Sequence, residues 1–292
     1  MEIDKSKVFV STRAFCNNNL AGVLELCQKQ GISNLELGSN LRFVNKNISD
    51  LMYFKNCFKG KLLIHNYFPS PQKAFVINLA SSDKGILKKS KQHCLRAIKL
   101  CAKLKVPFYS VHSGFCFEAA PNNLGKKLTR LPRISLAEAE DIFVNSLREL
   151  SHLSASYGVE ILIENNVVTL GNTINSKNLL MLGVSSEDLL RILKKAGADN
   201  ISILLDIAHL KVSANSLGFS PVSFIKDIKR HVRALHLSDN DGKNDQHLSF
   251  SDKSWFVPFL GNFKGKYLII ECDNLQIKDI FKCRDVICGA LQ

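Results

Sequence analysis

Eight short runs of β-type residues recur along the chain, and almost every one is followed by a stretch with helical spacing. The runs are Val8–Ser11, Asn34–Leu37, Leu62–His65, Phe108–His112, Val159–Glu164, Ile201–Asp206, Val232–Leu237 and Tyr267–Glu271. Between them apolar residues return every three or four positions, as on one face of a helix. Leu20, Val23, Leu24 and Cys27 form one stripe; Ile86, Leu87, Cys94, Leu95, Ile98 and Cys101 form another; Phe143, Leu147, Leu150 and Leu153 form a third. Shorter stripes sit at Leu189, Leu190 and Leu193 and at Ile280, Val286 and Ile287. Gly31, Pro107, Gly158 and Gly197 each precede a strand, where a helix has to stop. Strand–helix alternation predicts an α/β chain with a parallel sheet. Eight repeats are the number that closes a (β/α)8 TIM barrel. The alternative, an open doubly wound sheet, usually carries a glycine-rich phosphate turn after its first strand. Here that turn reads Ser11-Thr12-Arg13-Ala14-Phe15, without glycine. No Pro/Ser-rich linker or shift in composition divides the chain, so residues 1–292 are expected to form a single domain.

Composition excludes several classes. A mean hydropathy of +0.01 with 22% charged residues is that of an ordinary globular protein, not a disordered or collagen-like chain. No apolar run is long enough to suggest a membrane-spanning helix. The start, Met1 to Lys7, has no apolar segment behind its charges, so a secretory signal is not expected there. The nine cysteines are scattered, odd in number and never spaced C-x-x-C, which argues against zinc-ribbon and thioredoxin-like readings. They suit a reducing, cytoplasmic compartment. The net charge of +13 favours an anionic partner: a phosphorylated substrate, a nucleic acid or a membrane surface. Part of that charge has a plainer origin. Lys84, Lys88, Lys89, Lys91, Lys99, Lys103 and Lys105 crowd one helix and its flank, as on a solvated face.

The chemistry concentrates at strand ends. Of eight histidines, five lie at or just past the end of an expected strand: His65, His112, His209, His236 and His247. A lone strand-end histidine is more often a hydrogen-bonded structural residue than a ligand. Here carboxylates join them, because Glu164, Asp206 and Glu271 each close an apolar run. A carboxylate at the end of a buried strand is costly to leave without a partner. In a barrel all of these side chains meet at one rim, and convergent imidazoles and carboxylates are what a divalent metal needs. Asp206-Ile207-Ala208-His209 places two ligand types three residues apart where a strand is expected to turn into its loop. Asp245-Gln246-His247 places two at alternating extended positions. Mixed His and carboxylate donors favour zinc, manganese or iron over calcium. The acidic run from Asp239 does not make an EF-hand loop, since Asn244 and Phe250 stand where its glycine and closing glutamate belong. Two long insertions after strand ends, Phe68 to Leu79 and Phe117 to Ser135, bring Tyr67, Phe68, Phe115 and Phe117 to where a small-molecule pocket could be walled.

These motifs, in this order, resemble the xylose isomerase-like barrel superfamily of sugar isomerases and epimerases, inosose dehydratases and endonuclease IV. The carriers are LLIHNYF with His65, VINLASSD, SVHSGF with His112, LIENN with Glu164, and LLDIAHL with Asp206 and His209. ALHLSDN with His236, NDQH with Asp245 and His247, and IIE with Glu271 complete them, so the resemblance runs from Val8 to about Asp273. In the sugar-acting members it implies one metal at Glu164, Asp206, His236 and Glu271. In endonuclease IV it implies three zinc ions, with His65, His112, His209, Asp245 and His247 as added ligands. The chain departs from endonuclease IV at Ser113-Gly114, where those proteins carry a proline-glycine pair. It departs again at Ile207-Ala208, where they have a Thr-rich, Cys-containing turn, and after His247, where they have closely spaced glycines. Glu164-Asn165-Asn166 looks more like the sugar-acting members.

Two functions follow from the resemblance. The first is a metal-dependent isomerase or epimerase of a sugar or sugar phosphate, with Glu164 and Glu271 as the proton-transferring pair. Zinc or manganese, one to three ions, is the expected cofactor. Substrate contacts are expected from His65, His112, His209, Asn166 and Lys211, with Lys243 also near the rim. The second is an endonuclease IV-like zinc phosphodiesterase acting on DNA. The charge suits it, but no basic-aromatic groove is visible in the sequence. A scaffold without catalysis has no use for nine such residues. No membrane partner is expected.

Overall fold

The computed structural model describes residues 7–38, 40–43, 47–57, 59–123 and 125–292; the side chains of Asn47 and Cys57 are excluded. The expectation for the chain's first six residues lies outside the described residues, as do the Cys57 side chain and Leu124 of the second insertion.

Eight parallel strands close into a barrel in sequence order: β1 (Val8–Ser11), β2 (Asn34–Leu37), β3 (Lys61–His65), β4 (Phe108–His112), β5 (Glu160–Glu164), β6 (Ile201–Asp206), β7 (Val232–Leu237) and β8 (Tyr267–Ile270). Closure is made by β8 pairing with β1, Val8 beside Leu268 and Val10 beside Ile270. The strands are buried nearly throughout, because the barrel interior covers one face and the helices cover the other. Among the described residues the α-helices are α1 (Leu20–Gln30), α2 (Asn47–Cys57), α3 (Lys84–Leu104), α4 (Leu136–Ser156), α5 (Ser186–Ala196), α6 (Ile207–Leu217), α7 (Pro221–Ile228) and α8 (Ile277–Ala290). Glycine stops α1 and α5 as expected: Gly31 and Gly197 take left-handed conformations, φ 68° and 62°, that other residues adopt with strain.

Three helices depart from the sequence reading. Helix α2 has only a thin apolar stripe, Leu51 and Phe54. In α6 the residues Ile207, Ala208, His209, Leu210, Val212, Ser213 and Ala214 are all buried. A helix covered on most sides shows no amphipathic period. The expected loop after Asp206 is therefore a helix start, with the Asp206 carboxylate capping it through the His209 backbone N–H at 2.7 Å. Helix α7 opens with Ser220 as its cap and Pro221 in its first turn, a start signal that the sequence carries.

The loops after β4 and β5 rise above the rim and share a small core of Phe117, Leu128, Val168, Leu180, Met181 and Val184. They are stitched by antiparallel contacts of Phe115 with Met181 and Phe117 with Arg133. Gly183 lets them approach the barrel. It has φ 65°, and a Cβ there would stand 2.4 Å from the Ser113 hydroxyl. That hydroxyl donates to the Glu164 carbonyl at 2.8 Å. Gly183→Ala should therefore cost about 1–3 kcal/mol in chemical denaturation. Gly289→Ala, on the open face of α8, should be neutral or up to about 1 kcal/mol stabilising.

Candidate metal centre

Parallel strands put all their C-terminal ends on one rim, and that rim collects the ionisable groups. Glu36 comes from β2, His65 from the end of β3, His112 from β4, Glu164 from β5, Asp206 from β6 and His236 from β7. His209 follows in the first turn of α6, and Glu271 stands directly after β8. Asp245 and His247 arrive on the loop after β7. Neighbouring strands align His112 with Glu164 and Asp206 with His236. Glu36, Glu164, Asp206 and His236 are at most 1% exposed.

Four of the five rim imidazoles, those of His65, His209, His236 and His247, are aimed by a partner behind them. His209 Nδ1 lies 2.9 Å from the Asn165 carbonyl, and His247 Nδ1 lies 3.1 Å from the Glu271 carbonyl. A carbonyl can only accept, so Nδ1 donates in both rings and Nε2 is the nitrogen left to face the centre. His65 Nδ1 rests on the Ser110 hydroxyl at 3.1 Å. His236 Nε2 is gripped by both oxygens of Glu36, at 3.0 and 3.1 Å, which turns its Nδ1 inward. Asn165 fixes Asp206 through a two-way backbone pair, accepting from its N–H at 2.7 Å and donating to its carbonyl at 2.9 Å. A carboxylate or carbonyl behind each imidazole is the usual orienting layer of a metal site.

Among the described residues, four groups of donor atoms converge within 4.8 Å: His65, His112 and Glu164; Glu164, Asp206, His236 and Glu271; His209, Asp245 and His247; and Glu36, His65 and His236. Five of the buried atoms at this rim have no hydrogen-bond partner: His112 Nδ1, Glu164 Oε2, Asp206 Oδ2, His236 Nδ1 and Glu271 Oε2. Orphaned buried polar atoms are costly. Convergent nitrogen and carboxylate oxygen donors fit a divalent cation, which would satisfy them together.

The charges are strongly coupled. Burial works to raise Glu164, but His112, His65 and His236, all facing it, hold it well below the usual carboxylate range. Burial likewise opposes the shift of Glu271, which His236 and His247 hold well below that range. Burial pushes Asp206 up to about 6, helped by Glu271 and Glu164 against the pull of His209. Burial drives His65 down to about 3 despite Glu164. Against burial, the Asp245 hydrogen bond and the charges of Glu271 and Asp245 lift His247 to about 9. Burial is also outweighed at His209, raised by Asp206 and Asp245, and at His236, raised by Glu271 and Glu36. These protons balance a surplus of carboxylate, and cation binding would displace them.

A cavity of about 760 Å³ opens over the centre. Tyr67 and Phe115 wall it as expected, joined by Arg13, Lys126, Lys127 and Met181. Phe68 and Phe117 do not: both are buried, one in the main core and one in the roof. Asn166 lines the cavity, but its amide nitrogen is committed to the carbonyls of Ser113, Gly114 and Leu182. Lys211 is turned away, its ammonium on Asp239 at 2.7 Å and on the Asn240 carbonyl. The Asp245–His247 segment is not extended, because His247 has φ 47°. The two side chains still meet, at 3.2 Å. The nine candidate ligands come together; Glu36, Asn165 and Arg13 join them without having been singled out in the sequence. Glu36 had a signal, a carboxylate at a strand end, but Leu35-Glu36-Leu37 alternates like a half-exposed strand.

A family model described as the xylose isomerase-like TIM barrel matches residues 53–271. The chain belongs to this family. Among curated relatives, the uncharacterized protein MJ1311 of Methanocaldococcus jannaschii is 26% identical over 246 residues, 83% of this chain and 74% of that one. A second from the same organism, MJ1614, is 24% identical, over 96% and 97% of the two chains. Among solved structures, a D-tagatose 3-epimerase-like protein superposes with a TM-score of 0.74 at 22% identity, covering 98% of this chain and 97% of that one. D-psicose 3-epimerase of Clostridium cellulolyticum H10 gives 0.65 at 14%, covering 98% and 96%. At these identities the likeness speaks to the xylose isomerase-like fold. No helix among the described residues is long and apolar enough to cross a membrane.

Glu36→Gln tests the orienting layer, since the amide is isosteric but no longer charged. Metal affinity should fall about 10–100-fold by competition with a chromogenic chelator, with the circular dichroism spectrum unchanged. Unaltered affinity would free His236 from any need of Glu36.

Proposed function

We propose that this chain is a metal-dependent isomerase or epimerase of a sugar or sugar phosphate, acting as a single domain over residues 1–292. The observation that carries it is the convergence of Glu164, Asp206, His236 and Glu271 beneath a cavity sized for one small molecule. The named epimerases among the structural neighbours support the class. A zinc or manganese ion on those four residues would supply Lewis-acid polarisation of a carbonyl and its neighbouring hydroxyl. Glu164 and Glu271 are both ionised, the state in which one can take the proton from the carbon next to the carbonyl. The electron pair would move into the enediolate; the other glutamate, first protonated from solvent, would give carbon a proton while the first releases its own to solvent, giving inversion or carbonyl migration. His65, His112 and His209 line the same cavity, which supports them as contacts to substrate oxygens. Among the described residues, seven of the eight free thiols are buried, which supports a reducing, cytoplasmic setting.

A second reading has its own support. The three groups that contain His65 with His112, Asp206 with His236 and Glu271, and His209 with Asp245 and His247 suit an endonuclease IV-like site, with Glu164 shared by the first two. In that case three zinc ions would serve hydrolysis of a DNA phosphodiester, and nucleic acid would be the partner.

Metal analysis of the purified protein separates the two: one ion per chain supports the isomerase, three support the phosphodiesterase. Deuterium uptake from solvent into a panel of ketoses, aldoses and their phosphates should occur and should fall at least about 100-fold in Glu271→Gln. Metal-dependent nicking of abasic-site DNA without deuterium uptake, lost in His65→Ala and His112→Ala, would replace the first reading with the second.

A further inference from the structure

A second cavity, about 590 Å³, lies beside the first and shares Arg13 with it. Its walls carry Asn17, Asn18, Asn40, Arg42 and Asn274, and also the carboxylate of Asp273. Hydrogen bonds hold these walls in place. Arg13 clamps Asp273 with two parallel bonds, 2.8 and 2.9 Å, and its carbonyl accepts from Asn274 N–H. Asn40 is fixed by Thr12 in both directions, 2.8 Å each. Arg42 N–H donates to the Asn18 carbonyl at 2.9 Å, tying the loop after β2 to the loop after β1. Within this frame, the side chains of Asn18, Arg42 and Asn274 have no hydrogen-bond or ion-pair partner among the described residues. The Arg13 charge is answered by Asp273; the Arg42 charge is not.

We infer that this cavity is an anion subsite, holding the phosphate or carboxylate end of a substrate whose sugar carbons lie over the metal centre. Arg42 supplies the unanswered charge, while the Asn18 and Asn274 amides supply neutral donors beside it. Guanidinium groups match both anions through paired N–H donors. Arg13 lines both cavities, so a bound molecule crosses from one to the other over a fixed guanidinium. The inference rests on the sugar reading of the first cavity and deepens it: the substrate has two parts, a hydroxylated chain and an anionic end. Lys126 and Lys127, across the first cavity, are the competing place for that anion.

Binding of unreactive polyols tests this without turnover. Calorimetry on the metal-loaded protein would compare D-glucitol, D-glucitol 6-phosphate and D-gluconate. The phosphate or the carboxylate should bind about ten-fold or more tightly than the neutral polyol, and the stronger of the two names the anion. Arg42→Ala should erase that advantage while D-glucitol affinity and metal content stay constant, and Arg42→Lys should restore part of it. Equal affinities for all three polyols would overturn the inference. So would an advantage that survives Arg42→Ala, or one that disappears only in the Lys126→Ala/Lys127→Ala double variant. Deuterium uptake is measured separately, so loss of the subsite and loss of the isomerase reading are distinguishable.

Discussion

The top of the barrel is organised around one buried carboxylate. Glu164 sits at the end of β5 with 1% exposure, and its two oxygens face four imidazoles. Oε1 lies 3.4 Å from His236 and 3.5 Å from His209; Oε2 lies 3.3 Å from His112 and 3.5 Å from His65. An isolated buried carboxylate is too costly to keep charged. Those histidines face Glu164 together, and three of them have a partner of their own behind the ring. Glu36 answers His236, Ser110 answers His65, and Asn165 answers His209. The chain of compensation reaches outward until it ends on backbone groups that the barrel already holds still.

The barrel makes such compensation available. Parallel strands deliver their last residues to one rim, and adjacent registers set His112 beside Glu164 and Asp206 beside His236. Asp206 shows how closely fold and site are joined. One of its oxygens caps α6 through His209 N–H, while the other stays buried and unpartnered toward the centre. The same residue starts a helix and offers a ligand atom, so the position of His209 one turn on follows from the cap.

The barrel was legible in the sequence because most strands are apolar runs covered on both faces, preceded by glycine or proline in several cases and ended by a polar residue in most. The nine candidate ligands were legible for a related reason: a charged residue that ends a buried run is chemically conspicuous. Helix α6 was hidden by the same burial that makes the strands plain, since a helix without a solvent face has no period to read. Glu36 was hidden because its neighbours alternate. Lys211 and Asn166 looked like substrate contacts from their places near the rim, but side-chain direction decides that, and nearby carbonyls and Asp239 claim both. Phe68 packs instead into the main core and Phe117 into the roof, a choice that packing partners distant in sequence decide.

What the rim does with its charge depends on what covers it. A centre that polarises an oxygen serves a carbonyl or a phosphoryl group alike. The roof loops after β4 and β5 carry their own apolar core, so they stand as a packed unit over one side of the rim. Tyr67, Phe115 and Met181 narrow the opening to a volume that suits a small molecule. A duplex would need a wide basic groove, whereas the charges at this mouth are few: Arg13 already committed to Asp273, and Lys126 and Lys127 on the roof. Much of the +13 lies on α3, where Lys84, Lys88, Lys89, Lys91, Lys99 and Lys103 occupy an outer helix away from the cavity lining. The walls of the cavity thus bear on the balance between a carbon acid and a phosphodiester, because they bound a space of small-molecule size over the centre.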